Sequence, residues 1–135
     1  MTQLNRITQL FLAVTLLLSM SFATNAQDVI VGLTSNGGEQ GGGTIFSMKD
    51  NGSAFTILKG FANWGTTPNG DLLKDADGNF YGMTNTGGTY GSGTIFKMTP
   101  AGDITILRHL SSATDGATPN GELIKGTDGN FYGMT

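Results

Sequence analysis

The stretch Asp77-Gly78-Asn79-Phe80-Tyr81-Gly82-Met83-Thr84 returns unchanged as Asp128-Gly129-Asn130-Phe131-Tyr132-Gly133-Met134-Thr135. Two other stretches keep the same step. Gly43-Thr44-Ile45-Phe46 returns as Gly93-Thr94-Ile95-Phe96, and Thr67-Pro68-Asn69-Gly70 returns as Thr118-Pro119-Asn120-Gly121. The period is about 50 residues, a length typical of blade and solenoid architectures. Repeat units of this kind bury their apolar faces against their neighbours, so the recurrence decides the fold class before any single element is read.

Within one unit the chemistry is that of short strands. Asp71-Leu72-Leu73-Lys74 reads as a short strand, and Asp77-Gly78-Asn79 as a turn, because Gly and Asn tolerate positive φ. Phe80–Thr84 reads as a second strand. Asn85–Gly93 is a glycine-rich loop. Thr94–Met98 alternates polar and apolar residues, Pro100-Ala101-Gly102-Asp103 turns the chain, and Ile104–Leu110 alternates again. Four antiparallel strands in about 50 residues is the content of one β-propeller blade, strand order running from the inside outwards. Val29–Leu33, Thr44–Met48 and Phe55–Leu58 supply three outer strands of an earlier unit. Glu122–Lys125 and Phe131–Thr135 open a later one. The expectation is an all-β chain of tandem four-stranded antiparallel repeats forming a partial β-propeller, with an open β-solenoid-like array as the alternative. Propellers use 4 to 8 blades, so about two units read as part of a longer protein, or as a chain that associates with copies of itself.

Residues 1–26 read as a signal peptide. Arg6 precedes an apolar run from Leu10 to Phe22, and Ala23-Thr24-Asn25-Ala26 places small residues at −3 and −1 of a cut after Ala26. The run is shorter than the roughly 20 apolar residues of a spanning helix. The expected β-repeat domain is 27–135, secreted or held at the cell surface, with no membrane span once the signal is removed. The chain has no cysteine, so it has neither a lipidation site nor disulfides. All ten acidic residues, and every basic residue except Arg6, follow residue 26. A mildly acidic surface excludes the clustered Lys and Arg of a nucleic-acid footprint. The 22 glycines in 135 residues are more than twice the usual ~7%.

Asp77–Thr84, Gly87–Lys97 and the Pro100-Ala101-Gly102 turn resemble the GloVer repeat, an exported bacterial tandem-repeat group. Its pattern runs Asp-Gly-Asn-aromatic-Tyr-Gly-x-Thr, then Gly-Gly-x-x-Gly-x-Gly-Thr-aliphatic-Phe-Lys, then Pro-x-Gly. The likeness covers residues 31–135. It implies an exported, surface-associated protein, often with a C-terminal sorting segment, and it brings no catalytic residues. A weaker likeness to NHL-type propellers rests on the Asp-Gly-Asn-aromatic-Tyr turn and implies the fold only.

The candidates for chemistry are few. Asp75-Ala76-Asp77-Gly78-Asn79 has the oxygen density of a cation loop, but its second copy, Gly126–Asn130, loses the first carboxylate, and a hairpin turn explains both copies. The glycine-rich loops Asn36–Gly43 and Asn85–Gly93 precede strands, whereas phosphate cradles precede helices. His109 is the single histidine and has no cysteine or second histidine beside it. Asp71 and Glu122 recur at one place, which would set them around one face of a ring, where paired carboxylates would serve glycoside chemistry; a solvated turn after Pro-Asn-Gly is the favoured reading of both. Trp64, in the loop Phe61–Gly65, is the candidate ligand contact: it either stacks on a ligand or packs between units. The sequence therefore predicts no catalytic, metal or cofactor residues. It predicts a non-catalytic exported module, either structural or binding polysaccharide or a surface protein, with the N-terminal part of a carbohydrate-active propeller enzyme as the alternative.

Overall fold

The computed structural model describes residues 29–62 and 64–135. The expected signal peptide, apart from the chain that follows it, lies outside the described residues. Every regular element among the described residues is a β-strand, and the sheets are antiparallel. They are β1 (Val29–Thr34), β2 (Thr44–Lys49), β3 (Thr56–Gly60), β4 (Leu73–Lys74), β5 (Phe80–Thr84), β6 (Thr94–Met98), β7 (Ile104–His109), β8 (Ile124–Lys125) and β9 (Phe131–Tyr132). They form a three-stranded sheet β1-β2-β3, a four-stranded sheet β4-β5-β6-β7 and a hairpin β8-β9. None of the sheets closes into a barrel. The inner strands expected from Asp71 and Glu122 shorten to two residues each, Leu73–Lys74 and Ile124–Lys125.

The first two sheets repeat each other in register. Thr34 faces Thr44 as Thr84 faces Thr94, and the pairing slips between Ile45 and Phe46 as it does between Ile95 and Phe96. The slip bulges Leu58 and Leu107 out of the outer strands. Gly82 lies directly across from Phe96, and Gly32 across from Phe46. A Cβ on Gly82 would meet the Phe96 ring at 2.7 Å, and the Phe46 ring covers Gly32 in the same way. The glycine of the Tyr-Gly-Met stretch thus seats the phenylalanine of the next strand, an aromatic covering a glycine within the sheet.

The Asp-Gly-Asn turn builds itself. Asp75 and Asn79 close a five-residue loop through Asp75 N–H to the Asn79 carbonyl at 2.9 Å. Asp77 Oδ1 accepts the Asn79 N–H at 2.9 Å, its Oδ2 accepts the Asn79 side-chain amide at 2.7 Å, and the Tyr81 hydroxyl donates to Oδ2 at 3.1 Å. Asp128, Asn130 and Tyr132 repeat the arrangement. Asp, Asn and Tyr therefore recur together because one carboxylate holds the other two side chains.

The core lies between the sheets. Ile45, Phe61, Phe80, Phe96 and Met98 form one buried cluster, with Leu33, Leu58, Leu72, Ile104 and Ile106 packed against it. Tyr81, Met83 and Leu123 form a second between the four-stranded sheet and the hairpin, where Tyr81 stacks on Phe131 at 4.4 Å. Lys125 of the hairpin reaches Asp75 of the preceding sheet at 2.5 Å. The segment after β3 returns past the glycine-rich loop: Phe61 N–H donates to Gly43 O, and Thr66 and Thr86 exchange backbone bonds. That return path places Trp64 where two sheets meet.

Candidate functional site

Two recesses of the same construction lie at the rims of the first two sheets. Each is walled by the tip of a glycine-rich loop, the end of the outer strand and the segment that follows it. The first, about 620 Å3, is lined by Gly38, Glu39, Gln40, Leu58, Phe61 and Trp64 among others. The second, about 460 Å3, is lined by Thr89, Tyr90, Arg108, His109, Ser111 and Asp115 among others. The loops owe their shape to glycine. Gly87, Gly88, Gly91 and Gly93 all have positive φ, as do Gly37, Gly38, Gly41 and Gly43. The backbone is thus the same twice over, while Glu39 becomes Thr89, Gln40 becomes Tyr90, and Gly60 becomes His109.

Trp64 is half-buried. It packs on Phe61 with ring centres 4.9 Å apart and meets Phe96 edge-on at 5.8 Å. One side of the indole therefore belongs to the core between the sheets and the other borders the recess. The packing foreseen for this residue is present, and the indole also borders a recess. An indole fixed against two phenylalanines gives a rigid apolar platform, and Glu39 and Gln40 at the rim supply acceptors and a carboxamide.

The second recess has an exposed aromatic, Tyr90, on its glycine-rich loop at the position of Gln40. Arg108 and Asp115 form a paired contact, Nη2 to Oδ1 at 2.5 Å and Nε to Oδ2 at 3.3 Å. The guanidinium holds the Asp115 carboxyl below its usual range, helped by the Ser111 N–H. His109 Nδ1 accepts the Thr89 N–H at 3.2 Å. In the neutral ring the proton therefore sits on Nε2.

Asp71 and Glu122 border the same recess. With Ser35, Pro68, Asn69 and Gly121 they line a shallow recess of about 630 Å3. Consecutive Pro-Asn-Gly turns touch there, so a Cβ on Gly70 would collide with the Gly121 carbonyl. Thr67 and Thr118, which precede the prolines, take positive φ of 49° and 52°. In the Asp75–Asn79 loop both Asp77 oxygens already accept internal donors. Asn79, through its side chain and then its backbone N–H, lowers the Asp77 pKa to about 2, aided by Tyr81 and Lys97. Among the described residues no group of three His, Cys, Asp or Glu side chains is placed to hold a metal ion.

The sequence model of the Gloeobacter/Verrucomicrobia repeat matches residues 19–135. The chain belongs to this repeat family. The match takes in the nine strands found among the described residues of this Gloeobacter/Verrucomicrobia repeat chain and the last residues of the expected signal segment. No curated protein and no solved structure matches it. Among the described residues no helix is long and apolar enough to cross a membrane.

Sequence reasoning singled out Trp64 but missed the second recess. Tyr90 sits in a loop read only for its glycines, and Arg108 and Asp115 are seven residues apart across a turn that no periodicity brings together.

Proposed function

We propose that this chain is an exported, non-catalytic repeat module, built as part of a β-propeller, whose rim recesses bind polysaccharide. The observation that carries the reading is the recess made twice on one backbone, each time with an aromatic side chain and flanking polar groups. An aromatic face stacks on the apolar face of a sugar ring, and side-chain amides, carboxylates and guanidinium groups bond its hydroxyls. Two copies on one array would bind a repeating polymer with avidity beyond that of either alone. The four-stranded sheet, ordered from inner to outer strand and packed face to face with its neighbour, supports the propeller arrangement. The apolar run and the Ala23–Ala26 cut support export.

The test is retention on insoluble polysaccharides of differing linkage, with Trp64→Ala and Tyr90→Ala, alongside an assay for new reducing ends. Retention that each substitution weakens, without new ends, is expected. Retention unaffected by both substitutions removes the recesses from the account. A second reading, part of a carbohydrate-active enzyme, rests on Asp71 and Glu122 sharing one recess. New reducing ends lost in Glu122→Gln would favour it.

A further inference from the structure

The two rim recesses share a backbone but offer a ligand different hydrogen-bonding groups. In the first, Glu39 and Gln40 stand exposed on the loop tip. Among the described residues Glu39 forms no ion pair, so its carboxylate can accept protons from sugar hydroxyls. The second recess has one carboxylate, and it is already occupied. Asp115 Oδ1 accepts from Arg108 Nη2, and Oδ2 accepts from Arg108 Nε at 3.3 Å and from the Ser111 N–H at 3.1 Å. The Asp115 side chain is 17% exposed and that of Arg108 57%. The carboxylate is therefore the anchored partner, and the guanidinium is the group presented to solvent.

The grip on Nε and Nη2 uses one edge of the planar guanidinium. Nη1 and the second N–H of Nη2 form the other edge, which has no acceptor among the described residues. Asp115 first, and the Tyr90 phenol after it, favour the charged guanidinium. His109 adds another donor. Its Nδ1 is taken by the Thr89 N–H, so the neutral ring offers only an N–H, on Nε2. The ring lies against Gly88, where a Cβ would come within 3.0 Å of Nδ1. Neither His109 nor Arg108 has a counterpart in the first recess, where Gly60 and Leu58 take their places.

We infer that the second recess takes an acidic sugar, with the carboxylate of a uronic acid residue on the open edge of Arg108 and the sugar ring on Tyr90. The inference rests on the polysaccharide reading and names the ligand class of one of its recesses. A carboxylate matches one edge of a guanidinium with two parallel bonds. A neutral sugar would bring hydroxyl donors to a recess whose one carboxylate is in use. The charges of Arg108 and Asp115 offset each other, so the preference comes from the direction of the N–H groups rather than from net charge. Asp115 is the positioning residue that sets this direction.

The test is calorimetry of the full chain with cellohexaose, maltohexaose and mannohexaose, each as itself and with C6 oxidised to the carboxylate. Within the pair of the preferred linkage, the oxidised form is expected to bind roughly tenfold more tightly, the worth of one charge-assisted bond. Arg108→Gln is expected to remove that preference and leave the affinity for the neutral parent unchanged. Both Arg108 and Asp115 bond at the rim, and circular dichroism checks that their variants keep the fold. Asp115→Asn adds local positive charge but loosens the guanidinium, and it is expected to lower the preference. Equal binding of parent and oxidised forms overturns the inference and leaves the polysaccharide reading standing. A preference that survives Arg108→Gln, or that grows in Asp115→Asn, also overturns it. Binding of neither form in any pair overturns both readings.

Discussion

Thr84 and Thr34 make the same three hydrogen bonds in different surroundings, which turns burial into a measurable quantity. Thr84 Oγ1 accepts the Thr94 N–H at 3.0 Å, lies 2.9 Å from the Thr94 hydroxyl and donates to the Thr86 carbonyl at 3.2 Å. Its single proton is taken by Thr86, so the Thr94 hydroxyl is the donor in the shared bond. Thr34 repeats the set with the Thr44 N–H at 2.9 Å, the Thr44 hydroxyl at 3.0 Å and the Asn36 carbonyl at 3.0 Å. Thr84 is fully buried beneath Gly65, whereas Thr34 is exposed. Thr84→Val keeps the branched shape and removes the oxygen. The Thr86 carbonyl still receives the Thr66 N–H at 2.8 Å, and the Thr94 hydroxyl can turn, but the Thr94 N–H is left unpaired. One buried unsatisfied group costs about 1–3 kcal/mol, and the upper half of that range is expected here. In Thr34→Val water replaces the lost oxygen, and the loss should stay below about 1 kcal/mol. With a urea slope of roughly 1–3 kcal/mol/M, the midpoint should fall by about 1 M in the first variant and by a few tenths in the second. Equal losses would refute the argument that packing between the sheets, rather than the hairpin alone, sets the worth of these bonds.

Other consequences follow from the same contacts. Gly91→Ala meets open space at positive φ and should cost about 1 kcal/mol, whereas Gly93→Ala also drives its Cβ into the Thr84 carbonyl and should cost at least twice as much, read as the two drops in thermal midpoint. Asp77 titrates well below an ordinary carboxyl, with a pKa of about 2 instead of 3.8. Its contribution to stability is therefore complete above about pH 4 and lost as pH falls through about 2, and an NMR titration of its carboxyl carbon with a midpoint near 4 would contradict the turn network. Phe96→Ala removes a fully buried ring and should cost about 3–5 kcal/mol. The same change frees one side of Trp64, so a red shift of the folded variant's tryptophan emission is expected, and an unchanged spectrum would mean that Phe96 does not hold the indole.

Much of the fold was legible because the repeat compares the chain with itself. The strands β1, β2, β5, β6 and β7 fall where alternation and turn residues put them, and their antiparallel pairing follows from short connections. The inner strands were overread, since Leu72 and Leu123 look like strand residues but serve as core contacts beside the Pro-Asn-Gly turns. Asp77-Gly78-Asn79 was read as a turn, yet the tie from Tyr81 back to Asp77 depends on side-chain geometry four residues apart. The site was half legible. Trp64 stood out as the single tryptophan in a loop whose counterpart lacks an aromatic. Its position between Phe61 and the recess depends on the packing of two sheets, which no local pattern encodes. The ion pair of Lys125 with Asp75 joins residues fifty apart in sequence. The matching residue of the next turn is Gly126, so the repeat itself gave no hint of the pair.

The single tryptophan lies in the recess proposed to bind ligand, which makes its own fluorescence the most direct probe of that site. Soluble oligosaccharides from the polysaccharide that retains the protein should change Trp64 emission saturably, and Gln40→Ala should weaken the apparent affinity without altering the unliganded spectrum. Saturable binding by calorimetry with no change in Trp64 emission would place the ligand elsewhere and contradict the account.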